Sequence, residues 1–172
     1  IREAEKEGIL VWSEIPIYWS ISWNNQNTFN NALRQLNDMI LRDINRANVI
    51  IWSIANETPQ GKERDLFLTN LINFARTLDN TRLITMAIEV TSTCEDKSTN
   101  ILNDTMANKL DIISINEYIG WYRDINSIDK MKWVIPYNKP VIISEFGAGA
   151  KYGYHGTLKQ RWTEEFQDNV YI

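Results

Sequence analysis

The sequence predicts an α/β fold built on parallel strands: a (β/α)8 TIM barrel, of which these 172 residues form an incomplete portion covering about strands 3 to 7. Three observations carry the prediction. Short, β-branched apolar runs recur at 9–15, 49–55, 82–88, 111–118 and 140–146, with the length and composition of buried parallel strands. Helix-like stretches lie between them, so the repeat is strand–helix–strand and the sheet is parallel. Carboxylates stand where the runs pass into polar loops, the strand ends at which barrels carry their sites.

The elements follow in order. The opening, IREAEKEGI, reads as the last turns of a helix already under way, so the true N-terminus is expected upstream. ILVWSEI gives the first strand. FNNALRQLNDMILRDIN (29–45) places Leu33, Leu36, Ile40 and Ile44 on one helical face. VIIWSIA is the second strand, and RDLFLTNLINFARTL (64–78) aligns Leu68, Leu71, Ile72 and Ala75 as the next helix. RLITMAI is the third strand, and ILNDTMANKL (101–110) a shorter helix. DIISINEY is the fourth strand, and a helix is expected within INSIDKMKWVIPYN (125–138). PVIISEF is the fifth, and TLKQRWTEEFQDNVYI (157–172) reads as helical to its end. A closed barrel takes about 250 residues, so the first two barrel strands and the last one are expected outside this sequence. A doubly wound nucleotide-binding sheet is the weaker branch, because no glycine-rich phosphate loop occurs.

Composition narrows the function. A hydrophobic fraction of 44% and a charged fraction of 23% suit an ordinary globular domain with its own core. A net charge of −4, with Lys and Arg scattered, argues against a nucleic-acid partner. No apolar run approaches the roughly 18 residues of a membrane span. The single Cys94 rules out an intramolecular disulfide and leaves cytoplasmic, periplasmic and secreted locations open; in its polar loop it reads as incidental. Seven Trp and seven Tyr offer faces that stack on sugars, or ordinary core.

Glu57, after NVIIWSIAN, and Glu145, in KPVIISEFG, are the two candidate catalytic groups. A pair of carboxylates at the ends of parallel strands is what retaining glycoside hydrolysis needs, one as acid/base and one as nucleophile. Side chains alternate along a strand, so Ile51, Ser53, Ala55 and Glu57 are expected on one face. Asn116 and Tyr118 share a face in the fourth run, as do Val141, Ile143 and Glu145 in the fifth. Glu117 has the opposite parity and is expected to point away. Metal ligation is the weaker rival: the single His155 leaves only oxygen ligands, and no compact Asp/Glu spacing occurs.

The runs WSIANE, NEYIGWY and ISEFGAG, in this order, resemble the catalytic barrel of glycoside hydrolase family 2, and within it the β-glucuronidases and their relatives. The resemblance covers essentially the whole chain. It implies Glu57 as acid/base, Glu145 as nucleophile, Asn56 at the sugar 2-hydroxyl, and Tyr118 in contact with the nucleophile. It implies Asn116 in the pocket lining, with Trp121 and Tyr122 of the GWY run as a wall. Glu14 and Glu89, each ending a strand run, are further candidates for sugar hydroxyls, and His155 for a position near the pocket. Trp162, in a helix-like run, reads as core. The resemblance also implies β-sandwich domains ahead of the barrel, a homo-oligomeric parent and a β-linked glycoside as substrate, with β-galactosidase and β-galacturonidase as alternatives. A noncatalytic carbohydrate-binding piece is the alternative of another class. No cofactor is implied for the β-glucuronidase-like branch, and the Asn-x-Lys motif with which the family's glucuronidases read the sugar carboxylate is expected beyond these residues.

Overall fold

All five apolar runs are strands. The computed structural model describes residues 1–92 and 98–172; Cys94 lies outside them. After a short helix α1 (Arg2–Lys6), strands β1 (Val11–Glu14), β2 (Val49–Asn56) and β3 (Leu83–Ile88) alternate with helices α2 (Gln26–Asp43) and α3 (Lys62–Leu78). Next come two short strands, β4 (Thr91–Ser92) and β5 (Thr99–Ile101), then β6 (Ile113–Asn116), β7 (Lys132–Val134), β8 (Val141–Glu145) and helix α4 (Glu164–Tyr171). One sheet has the order β1–β2–β3–β6–β8, with β1–β2 and β2–β3 parallel. Strands adjacent in space in chain order, joined by helices, are the topology of an incomplete (β/α)8 barrel.

The chain divides into two compact units: Ile1–Glu89, Asn103–Ser114 and Tyr137–Ile142 form the first, and the remaining residues the second. In the first, α2 and α3 pack on β2 and on each other. The buried stripe of α2 is Ala32, Leu36, Met39 and Ile40, and that of α3 is Phe67, Leu68, Leu71, Ile72 and Ala75. Each large apolar side chain so buried contributes about 1.5–3 kcal/mol. Asn25 caps α2 by accepting from the Asn27 and Thr28 amides.

The two faces of β2 have different partners. Trp52, fully buried, donates through Nε1 to Asp79 (2.9 Å), just past the end of α3, and lies under the Arg82 guanidinium. On the other face the register aligns Glu14, Ser53 and Thr85. The Ser53 hydroxyl donates to Glu14 (2.6 Å), and Thr85 Oγ1 lies 2.8 Å from Ser114 Oγ.

The second unit holds a sheet that the sequence does not announce. β4, β5 and β7 form it, with β5 antiparallel to β4 and parallel to β7. Two helix expectations are corrected here. Within 101–110 there is only a 3-10 turn, Thr105–Lys109, because Ile101 belongs to β5 and Asp104 takes an extended capping conformation. The final helix begins at Glu164 rather than at 157, because the Thr163 hydroxyl accepts from the Phe166 amide and caps it. Within 125–138 the helix is the 3-10 segment Ile125–Lys130, followed by β7.

Burial pushes the Asp79 carboxyl toward its neutral form, but donors from Thr81, Trp52 and Arg82 outweigh it and hold the group well below the usual carboxylate range. A depressed folded-state pKa gives stability that is in place above the unfolded value, near pH 4, and lost as acid takes the pH toward the folded value. Asp79→Asn keeps the size but loses the charge and one acceptor, with Trp52, Thr81 and Arg82 still to satisfy. We expect a loss of about 2–4 kcal/mol, read from the urea midpoint, and a shallower stability decline below pH 4 than in the unaltered chain.

Candidate active site

The first unit carries Asn56 and Glu57 at the C-terminal end of β2. The β2–β3 register shifts between Ser53 and Asn56, so that Asn56 stands opposite Ala87. This bulge breaks the simple alternation expected from Ile51 to Glu57. Glu57 itself has φ +46°, the left-handed region. The backbone is pinned on both sides. Asn56 N–H donates to the Ile17 carbonyl (2.7 Å), its carbonyl accepts from Trp19 (3.1 Å), and Glu57 N–H donates to the Ala87 carbonyl (2.9 Å).

The residue after Glu57 is held from below. Thr58 is fully buried, and Arg64, 1% exposed, donates to its hydroxyl (3.0 Å) and carbonyl (3.2 Å). The same guanidinium pairs with Asp104 through both terminal nitrogens and with Asp65 at 2.7 Å. Burial works to lower the Arg64 pKa, and the two carboxylates reverse this and raise it.

Glu14, at the end of β1, accepts from Ser53 and from Trp12 Nε1 (3.3 Å). Glu89, one residue past β3, is exposed. Tyr18 and Trp19, exposed beside Asn56 and stacked edge to face, are a part of this group that the sequence reading did not single out. The aromatic run IPIYW was the signal for them.

In the second unit the Tyr118 hydroxyl donates to Glu145 Oε2. Asn116, at the end of β6, accepts from Ser144 Oγ (2.8 Å), and Glu117 N–H donates to the Glu145 carbonyl (2.9 Å). Glu117 is buried and accepts from Asn100 Nδ2 (3.2 Å), which in turn is held by Arg123. That side chain is thus held by Asn100 of the small sheet. After Phe146 the chain turns through Gly147 at φ +101°, where a Cβ would run into the Tyr171 hydroxyl.

Trp121 and Tyr122 follow as an aromatic cluster. Tyr122, 73% exposed, meets Tyr118 edge to face (5.6 Å), and Trp121 meets Trp162 (4.8 Å). Trp162 is not core. It is half exposed at φ +73°, ahead of α4, because the cap at Thr163 leaves it outside the helix. His155 is exposed and pairs with Glu165 (2.8 Å). That hydrogen bond, with the fields of Glu165 and Glu164, raises the His155 pKa.

Among the described residues no three His, Cys, Asp or Glu side chains come together as metal ligands would. No helix there is long and apolar enough to cross a membrane.

The model of "Glycosyl hydrolases family 2, TIM barrel domain" matches residues 1–172. The chain belongs to this family. Over 188 residues it is 30% identical to a β-glucuronidase of Paenibacillus borealis, covering 97% of this chain and 30% of that protein. It is 27% identical to human β-glucuronidase, over 99% of this chain and 27% of that one. The family 2 domain described here therefore spans under a third of the length of these curated relatives. Among solved structures, the β-D-glucuronidase of Dictyoglomus thermophilum superposes with a TM-score of 0.69 at 29% identity, covering 98% of this chain and 31% of that one. A β-galacturonidase of Eisenbergiella tayi shares the fold with a TM-score of 0.75 at 24% identity, covering 96% and 30%.

Two measurements test the site's supports. Arg64→Met leaves Asp104 buried without its counter-ion and should cost about 3–5 kcal/mol, seen as a lower unfolding midpoint. The His155 shift is upward, so its pairing with Glu165 is complete below the ordinary histidine value of about 6.5 and is lost as pH rises through the folded value. An NMR titration should place the His155 midpoint above that value, and Glu165→Gln should bring it down.

Proposed function

We propose that this chain is part of the catalytic barrel of a retaining, exo-acting β-glycoside hydrolase, β-glucuronidase-like in preference. The observation that carries the reading is the Tyr118 hydroxyl donating to Glu145 at the end of β8, in a chain whose family is established over its whole length. A phenol on one carboxylate oxygen orients the other toward the reacting carbon, as a positioned nucleophile requires. The uronide preference is supported by the β-glucuronidases that align over 96–99% of the chain. The parent protein in this reading contributes the remaining barrel strands and upstream β-sandwich domains; the exposed Val141 and Ile143 of edge strand β8 are suited to cover by a further element.

In the proposed mechanism Glu57 donates its proton to the glycosidic oxygen while Glu145 attacks the anomeric carbon. The bond to the leaving group breaks, the alcohol departs, and a covalent glycosyl-enzyme remains. Glu57, now a carboxylate, takes a proton from water as the water oxygen displaces Glu145, and the configuration is retained. Asn56 holds the sugar 2-hydroxyl, Asn116 lines the pocket, and Trp121 and Tyr122 wall it. Glu14 and Glu89 offer acceptors to other hydroxyls.

The full-length protein provides the tests. Glu145→Gln should abolish turnover with the fold intact, and Tyr118→Phe should lower kcat by about 10²-fold. A structure with an inhibitor bound should put the Glu57 and Glu145 carboxyl groups about 5–5.5 Å apart. Near-normal activity of Glu145→Gln would remove Glu145 from its role. On aryl β-glycosides, cleavage of the galactoside alone would defeat the glucuronide preference, and binding without hydrolysis of any substrate would defeat the enzyme reading.

A further inference from the structure

We infer that Arg161 is a specificity-determining residue that contacts the carboxylate of a uronic-acid ring. This rests on the glycosidase reading above and adds a recognition residue to it. Arg161 is exposed, and its guanidinium is held in place by the aromatic wall: Nη2 donates to the Trp121 carbonyl, and the group lies 5.1 Å over the Trp121 ring. No carboxylate pairs with it among the described residues. A guanidinium has five N–H donors in a planar fork, so this one has donors left for a ligand while its plane is already oriented.

A relay of aromatic contacts links the seat of that cation to Tyr118 and, through it, to the candidate nucleophile. Trp162 packs against Gly149, four residues beyond Glu145, so closely that a Cβ there would meet its ring at 3.0 Å. Trp121 stacks on Trp162, Tyr122 on Trp121 and on Tyr118, and Tyr118 donates to Glu145. Other cations of this stretch lack such a seat. Arg123 is used by Asn100, and Lys151 and Lys159 are exposed without an aromatic contact among the described residues.

A neutral sugar offers this guanidinium only hydroxyl acceptors. A uronate gains a charge-assisted, bidentate contact with it, which a lysine on a flexible stem reproduces only in part. The consequence is discrimination between a sugar with a carboxylate and its hydroxymethyl counterpart.

The experiment uses the full-length enzyme and pairs of 4-nitrophenyl β-glycosides that differ only at this group: glucuronide against glucoside, and galacturonide against galactoside. Arg161→Gln should lower the uronide-to-neutral ratio of kcat/KM by about 10- to 100-fold, mainly through KM, with Arg161→Lys in between. Circular dichroism and the thermal midpoint report whether either variant is misfolded. Equal losses on both members of each pair, or an unchanged ratio, would overturn the inference while leaving the glycosidase reading in place. A wild-type enzyme that cleaves neutral glycosides and shows no uronide preference would overturn it as well. Absence of all turnover in the wild type, by contrast, would defeat the glycosidase reading on which it rests.

Discussion

A guanidinium almost without access to water sets the geometry at the end of β2. Bringing a charge inside costs several kcal/mol unless its donors are satisfied, and Arg64 meets that condition only through Thr58, Asp65 and Asp104 together. Each partner is fixed in turn. Thr58 directly follows Glu57. Asp104 also accepts from the Met106 amide and caps the 3-10 turn, while its carbonyl takes the Tyr137 hydroxyl. One cation thus ties the stretch from Thr58 to Asp65 to Asp104, 40 residues beyond Arg64 along the chain, and the loop that carries the candidate acid/base has little freedom left.

The sheet obeys the same accounting of polar groups. Trp52 and Asp79 show how β2 meets the helix layer: an indole N–H that would be costly to bury alone ends on a carboxylate that three residues hold ionised. On the opposite face the hydroxyls of Ser53, Thr85 and Ser114 find partners in their own row. Small, mutually bonded side chains there let the parallel strands continue to their C-terminal ends without an unsatisfied group in the middle.

The strands were legible because buried parallel strands need β-branched apolar runs on both faces, and the five such runs became the five strands of the main sheet. α2 and α3 were legible from their apolar stripes, although the buried set of α2 centres on Met39 and Ala32 as well as Leu36 and Ile40, with Leu33 and Ile44 only half buried. The small sheet was not legible. Thr91–Ser92, Thr99–Ile101 and Lys132–Val134 are two or three residues long and partly polar, too short for a period to show. Trp162 was misread because helical composition continues upstream of a cap, and only the capping hydroxyl of Thr163 says where the helix begins. Tyr118 on Glu145 was expected from the family resemblance rather than from the residues alone. Arg161 had no sequence signal, since its aromatic seat is assembled from a segment 40 residues away.

Regular strand alternation breaks down at the end of β2, around the candidate acid/base. A regular strand sends consecutive side chains to opposite faces, so Asn56 and Glu57 could not both serve one sugar ring from an unbroken β2. The bulge between Ser53 and Asn56 brings Asn56 into register with Ala87, and the positive φ of Glu57 breaks the alternation a second time. Left-handed geometry at a non-glycine residue costs about 1–3 kcal/mol and persists only where the surroundings over-determine it. Here three backbone hydrogen bonds to Ile17, Trp19 and Ala87, with Arg64 beneath Thr58, supply that constraint. In the mechanism proposed, that constraint holds the backbone from which Asn56 is to meet a hydroxyl and Glu57 the glycosidic oxygen.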